Sequence, residues 1–195
     1  MTDKGVLDHP LTVVSHTVPV ASASAAQSRL RQIVADHFEV LWRFLRRLGL
    51  PEGDVDDAAQ EVVLVLARKL DQIELGSERS FVLSTAFRVA SGFRRKTRRR
   101  REVDEAPLLE LPSTELDPEA SAEQRRLRAL LTRVLGELPL ELRAVFVLYE
   151  LEELTMAEIA RTLELPPGTV ASRLRRSREA FERLAAEALG SGGGA

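Results

Sequence analysis

TMAEIARTLELPPGTVASRLRRSREAFERL, residues 155–184, contains two helices and the turn that joins them. Thr155 and Glu158 form a T-x-x-E capping box, which marks a sharp helix start. Ile159, Ala160 and Leu163 form that helix's apolar face, and the small Ala160 allows a second helix to cross closely. Glu164-Leu165-Pro166 is a short turn, and Pro167 is suited to open the next helix. At 100° per residue, Val170, Leu174, Ser177, Phe181, Leu184 and Ala188 fall on one stripe. Thr169, Ala171, Ser172, Arg175 and Arg176 point away from it, and Arg173 lies at its border. A short helix, a tight turn and a helix decorated with Arg, Ser and Thr make a helix-turn-helix whose second helix would enter a major groove. Thr169, Ser172, Arg173, Arg175 and Arg176 are its candidate DNA contacts. The alternative is a helical hairpin with a solvated basic face. Cap, turn length and charged face together favour the DNA reading.

Working outward, residues 122–136 predict a helix with Leu127, Leu130, Leu131, Val134 and Leu135 inward. Pro139 fits the first position of another, carrying Leu142, Val145, Phe146 and Tyr149. Near the N-terminus, Leu30, Ile33, Val34, His37, Phe38, Leu41, Leu45 and Leu48 step by three and four, and Gly49 and Pro51 end that helix. A helix over 54–70 begins with Asp54 and Asp57, where the helix dipole favours acid. A third starts near Ser80 and runs into RRKTRRRR at 94–101. With no strand-like alternation, the expected fold is all-α: two small helical domains, each with a thin core, joined by an acidic linker, the second carrying the helix-turn-helix. The boundaries are a disordered tail at 1–27, a first domain at 28–101, a linker at 102–121 with three prolines, a second domain at 122–189, and a loose GSGGGA end at 190–195.

Composition narrows the function. Zero Cys in 195 residues excludes disulfide scaffolds, Cys-ligated zinc and thiol nucleophiles, and three scattered His (His9, His16, His37) make no metal cage. No nucleophile–base set or phosphate loop is present, so no enzyme, metal or cofactor is expected. The longest strong apolar run is the six residues 62–67, too short to span a bilayer, and no signal peptide is evident, so a cytoplasmic protein is expected. The net charge of −2 conceals seven basic groups at 94–101 against eight acids and no base at 102–123. Seven adjacent cations point to a polyanion, with Arg94, Arg95, Lys96 and Arg98 as contacts.

Two faces in the first domain suggest partners. On helix 54–70, Val55, Ala59, Val62, Leu66 and Leu70 face one way, and Asp57, Gln60, Glu61, Leu64 and Arg68 the other. A leucine centred in an acidic, polar face has the anatomy of a protein-binding anchor, although a lone exposed Leu is common. On the next helix Phe87 lies off the inward stripe, among Ser80, Ser84, Ser91, Arg94 and Arg98. An aromatic among cations suits single-stranded DNA, where a base stacks on the ring. Packing of Phe87 beneath the linker or against helix 54–70 is the favoured alternative.

LPLELRAVFVLYELEELTMAEIARTLELPPGTVASRLRRSREAFERL at 138–184 resembles domain 4 of the sigma-70 family, extracytoplasmic-function group. DVDDAAQEVVLVLARKL at 54–70 and FVLSTAFRVASGFRRKTRRRR at 81–101 resemble its domain 2, and together the two cover nearly all of 28–186. The resemblance implies a promoter-specificity subunit of bacterial RNA polymerase core. Domain 2 would grip the polymerase clamp and the −10 element, and domain 4 the flap and the −35 element. An anti-sigma factor is an implied partner. By resemblance, Asp57, Gln60 and Glu61 match a D-x-x-Q-E that meets the clamp. The sequence departs from the family where Gly is common, at Glu153 and Glu164, and where Ser and Lys are usual, at Pro166 and Ala171. Arg88 and Gly92 stand where Asn and Asp are common, beside the −10-reading surface, which makes Arg88 a DNA-contact candidate. A stand-alone helix-turn-helix regulator is the competing reading; the Leu64 face and the two-domain layout argue against it.

Overall fold

A computed structural model describes residues 20–103 and 121–190, with side chains for 24–96 and 121–190. The elements are α1 (Val20–Arg47), α2 (Glu52–Arg68), a 3-10 turn (Leu70–Gln72), α3 (Glu78–Val103), α4 (Ala122–Glu137), α5 (Leu140–Phe146), a π-helical turn (Val147–Leu151), α6 (Met156–Leu163) and α7 (Pro167–Gly190). No strand occurs among the described residues. The linker core at 104–120 and the ends at 1–19 and 191–195 lie outside them.

The first helix begins earlier than its sequence suggests. Residues 20–27 were expected to belong to a disordered tail, yet they are helical. VASASAAQ lacks an apolar period, but alanine has the highest helix propensity, so the stretch extends a helix that packing has nucleated downstream. At the other end, Gly49 adopts φ +83° and closes a Schellman motif, with Gly49 N–H donating to Arg46 O and Leu50 N–H to Leu45 O. Pro51 then caps α2.

α1, α2 and α3 pack on one another, and α4, α5, α6 and α7 form the second unit. Leu41, Phe44, Leu45 and Leu48 of α1 meet Val55, Ala58, Val62 and Leu66 of α2 and Val82, Ala86 and Ala90 of α3 in the core. Each fully buried large side chain, such as Phe44, contributes about 1.5–3 kcal/mol. The expectation of two separate thin cores needs correction. The buried apolar residues form one cluster running from Ile33 through Leu138, Val145 and Ile159 to Leu174, and α3 packs directly on α6. Leu127, expected to face inward, is exposed because the first turns of α4 project beyond their neighbours.

Candidate nucleic-acid interface

The helix-turn-helix is built by local capping. Thr155 Oγ1 accepts from the Glu158 backbone N–H, while the Thr155 backbone N–H donates to Glu158 Oε2 at 2.7 Å. These bonds hold the Glu158 carboxyl below its ordinary pKa. α6 ends at Glu164 in the left-handed region (φ 54°), with Leu165 N–H donating to Ala160 O at 2.9 Å. Glu164 and Glu153 are the two positive-φ non-glycine residues among those described, and both stand where the resembled family often has glycine. Backbone shape, not side-chain chemistry, accounts for that family habit.

α7 then presents the expected faces. Val170, Leu174 and Ser177 are buried, Phe181 stacks on Phe146 with ring centroids 4.6 Å apart, and Leu184 and Ala188 are half-buried. Ser172, Arg175 and Arg176 are exposed, while Thr169 and Arg173 are half-buried at the border. Arg175 pairs with Glu179 at 2.8 Å; Arg176 makes no hydrogen bond or ion pair among the described residues. Arg178, one turn further on, pairs with Glu150 at 2.6 Å and stacks over Tyr149.

On α2 the polar face is as expected: Asp57, Gln60, Glu61 and Arg68 are exposed around Leu64, itself 49% exposed. Only helix geometry is needed to put them there.

α3 differs from its sequence reading. Phe87 is half-buried against the core, in line with the packing alternative. Arg88 pairs with Glu164, the residue that ends α6, and Ser80 Oγ lies 2.7 Å from Thr162 Oγ1. The α3 face expected to meet single-stranded DNA therefore meets the first helix of the helix-turn-helix. Arg94 is also engaged: its Nη1 donates to Leu48 O at the end of α1, at 3.2 Å. Arg95 and Lys96 are exposed, Lys96 above the Phe93 ring, and Arg98 occupies a helical position with its side chain outside those described.

The sequence reading missed the charges between the two units. Glu152, at the end of the π-helical turn, has a side chain only 1% exposed. It accepts a forked pair of bonds from Arg43 (Nε to Oε1 3.1 Å, Nη2 to Oε2 2.9 Å) and one from Arg47 (Nη1 to Oε1, 2.6 Å). Arg79 Nη2 donates to the Glu152 carbonyl at 2.9 Å and lies 3.8 Å from its carboxylate. The Glu152 bond raises the pKa of Arg43, whereas burial lowers that of Arg47. Arg143, 1% exposed, donates through Nη1 to Leu48 O at 2.7 Å and through Nη2 to Leu138 O at 2.9 Å and to Gly136 O. Burial, reinforced by Arg94, pushes its pKa down to about 9, which leaves it charged at neutral pH. Nothing in LELRAVF distinguishes Arg143 from a surface arginine, and nothing distinguishes Glu152 from Glu150 or Glu153.

With this geometry in hand, comparison with known proteins assigns the class first. The family model described as Sigma-70, region 4 matches residues 128–181, the segment holding the helix-turn-helix. The ECF RNA polymerase sigma factor SigE of Mycolicibacterium smegmatis is 30% identical over 80% of this chain, which spans 61% of that protein's length. The ECF RNA polymerase sigma-E factor of Escherichia coli is 30% identical over 68% of the chain and 74% of its own length. Two solved structures share the fold. The sigma factor RpoE from Bartonella quintana, solved with the anti-sigma factor NepR, has TM-score 0.67 and 18% identity, over 79% of this chain and 94% of that one. CnrH, solved with the cytosolic domain of CnrY, has TM-score 0.59 and 24% identity, over 85% and 94%. The chain belongs to the extracytoplasmic-function (ECF) sigma factors of the sigma-70 family.

Proposed function

We propose that this chain binds bacterial RNA polymerase core and confers promoter recognition on it, rather than acting as a stand-alone regulator or an enzyme. α1–α3 serve the −10 element and the polymerase clamp, and α4–α7 serve the −35 element. The observation that carries this reading is the open face of α7, with Ser172, Arg175 and Arg176 exposed beside a border Thr169 and Arg173. Arginines in the first half of a groove-docked helix reach base edges and phosphates. Asp57, Gln60, Glu61 and Leu64 form the polymerase-binding face, and Arg88, Arg94, Arg95, Lys96 and Arg98 meet promoter DNA, with Phe87 the stacking candidate once its packing is released. An anti-sigma factor is the expected inhibitory partner, as in the relatives solved with one. No described helix is long and apolar enough to cross a membrane, consistent with action beside polymerase in the cytoplasm.

Run-off transcription tests the reading. Core polymerase with this chain should give discrete transcripts from genomic promoter fragments that core alone does not give. Duplex binding without any polymerase-dependent transcript would favour the stand-alone regulator.

A further inference from the structure

We propose that the chain carries its own latch: the buried Glu152 carboxylate, gripped by Arg43, Arg47 and Arg79, holds the helix-turn-helix against α3 and keeps the two DNA-facing surfaces closed on each other. This device is a deepening of the sigma-factor reading and supplies its resting state.

Three observations support the latch. The first is topological. All three arginines come from α1 and the start of α3, while Glu152 comes from the second unit, so every one of these bonds crosses between units. Arg143 makes the reciprocal crossing, from α5 to the carbonyl end of α1, where a cation is favoured. The second is what the latch covers. Arg88 and Ser80, on the proposed −10 helix, touch Glu164 and Thr162 at the end of α6, immediately before the recognition helix. The third is distance. The −10 and −35 elements are about 25 base pairs apart, which at about 3.4 Å per base pair is about 85 Å of DNA. Surfaces in van der Waals contact cannot occupy both elements at once, so promoter binding requires this contact to open.

The contact is also suited to opening. Arg43 and Arg79 keep 39% and 47% of their side chains exposed, so water and salt reach the rim of the cluster. Glu152 itself is delivered by an uncommon π-helical turn and followed by Glu153 in the left-handed region, a local geometry kept only where surroundings hold it.

The absence of native cysteine allows a direct test. The Ser80 and Thr162 hydroxyls are 2.7 Å apart, so a Ser80→Cys/Thr162→Cys chain should form a disulfide rapidly under mild oxidation. Adding Glu152→Gln, which removes the charge from the cluster, should slow that reaction by at least about tenfold if the closed population falls accordingly. Arg79→Ala, on a half-exposed residue, should slow it by a smaller factor, and circular dichroism should show native helicity in both. A crosslinking rate unchanged by both substitutions would overturn the latch. In run-off transcription the oxidised double variant should be silent and regain activity on reduction; equal activity of the two forms would also overturn the proposal. If the wild-type chain gives no transcript, the sigma-factor reading fails by itself, and the crosslinking rates still judge the latch.

Discussion

Gly49 shows how one residue joins local and long-range demands. Its φ of +83° lies where side-chain-bearing residues are costly, and a Cβ there would overlap Arg143 Nη1. The guanidinium cannot retreat without giving up the Leu48 and Leu138 carbonyls. Gly49→Ala should therefore lower stability by about 2 kcal/mol or more, measured as a shift in urea midpoint at constant slope. Glu153 gives the opposite sign. It is exposed at φ 57°, so Glu153→Gly should raise stability by about 1 kcal/mol in the same assay. Glu164→Gly relieves similar strain but loses the exposed pair with Arg88, and the two effects nearly cancel.

At the scale of elements, α2 and α7 each bury one face and offer the other. Leu64→Asp should leave helical content intact, because its side chain is half in solvent, and should weaken pull-down of core polymerase. Retention of core by this variant would remove α2 from the interface. On α7, Arg176→Ala should cost about 1–3 kcal/mol and relax preference at one base pair if the side chain forks onto a guanine. A uniform loss across sequences, with the salt slope reduced by about one, would make it a phosphate contact instead. Duplexes substituted base by base and titrated at several salt concentrations separate the two. Arg173, half-buried at the border, is better placed for phosphate.

At the scale of the whole molecule, the shared core and the Glu152 cluster make the two units depend on each other. The chain has one Trp, Trp42 on α1, and one Tyr, Tyr149 in the π-helical turn, so each unit carries its own chromophore. Trp42 fluorescence and the near-ultraviolet signal of Tyr149 should report coincident urea transitions in the wild type, as expected of one cooperative unit. Glu152→Gln leaves three arginines without their common acceptor and should pull the transitions apart.

Sequence by itself determined the helices, the helix-turn-helix, its capping box and the open faces around Leu64 and Arg176. Each of these follows from neighbours three or four residues apart on one helix, a distance at which periodicity is informative. Even the left-handed sites at Glu153 and Glu164 were marked, as departures from glycine in a resembled family. Tertiary structure alone decided which charges are buried. Arg43 and Glu152 are 109 residues apart, and Arg143 and Leu48 are 95 apart. A helical period says which side of a helix faces inward but not which helix it meets. For that reason Glu152 could not be told from Glu150, and Arg88, assigned to DNA by its sequence setting, is held by Glu164.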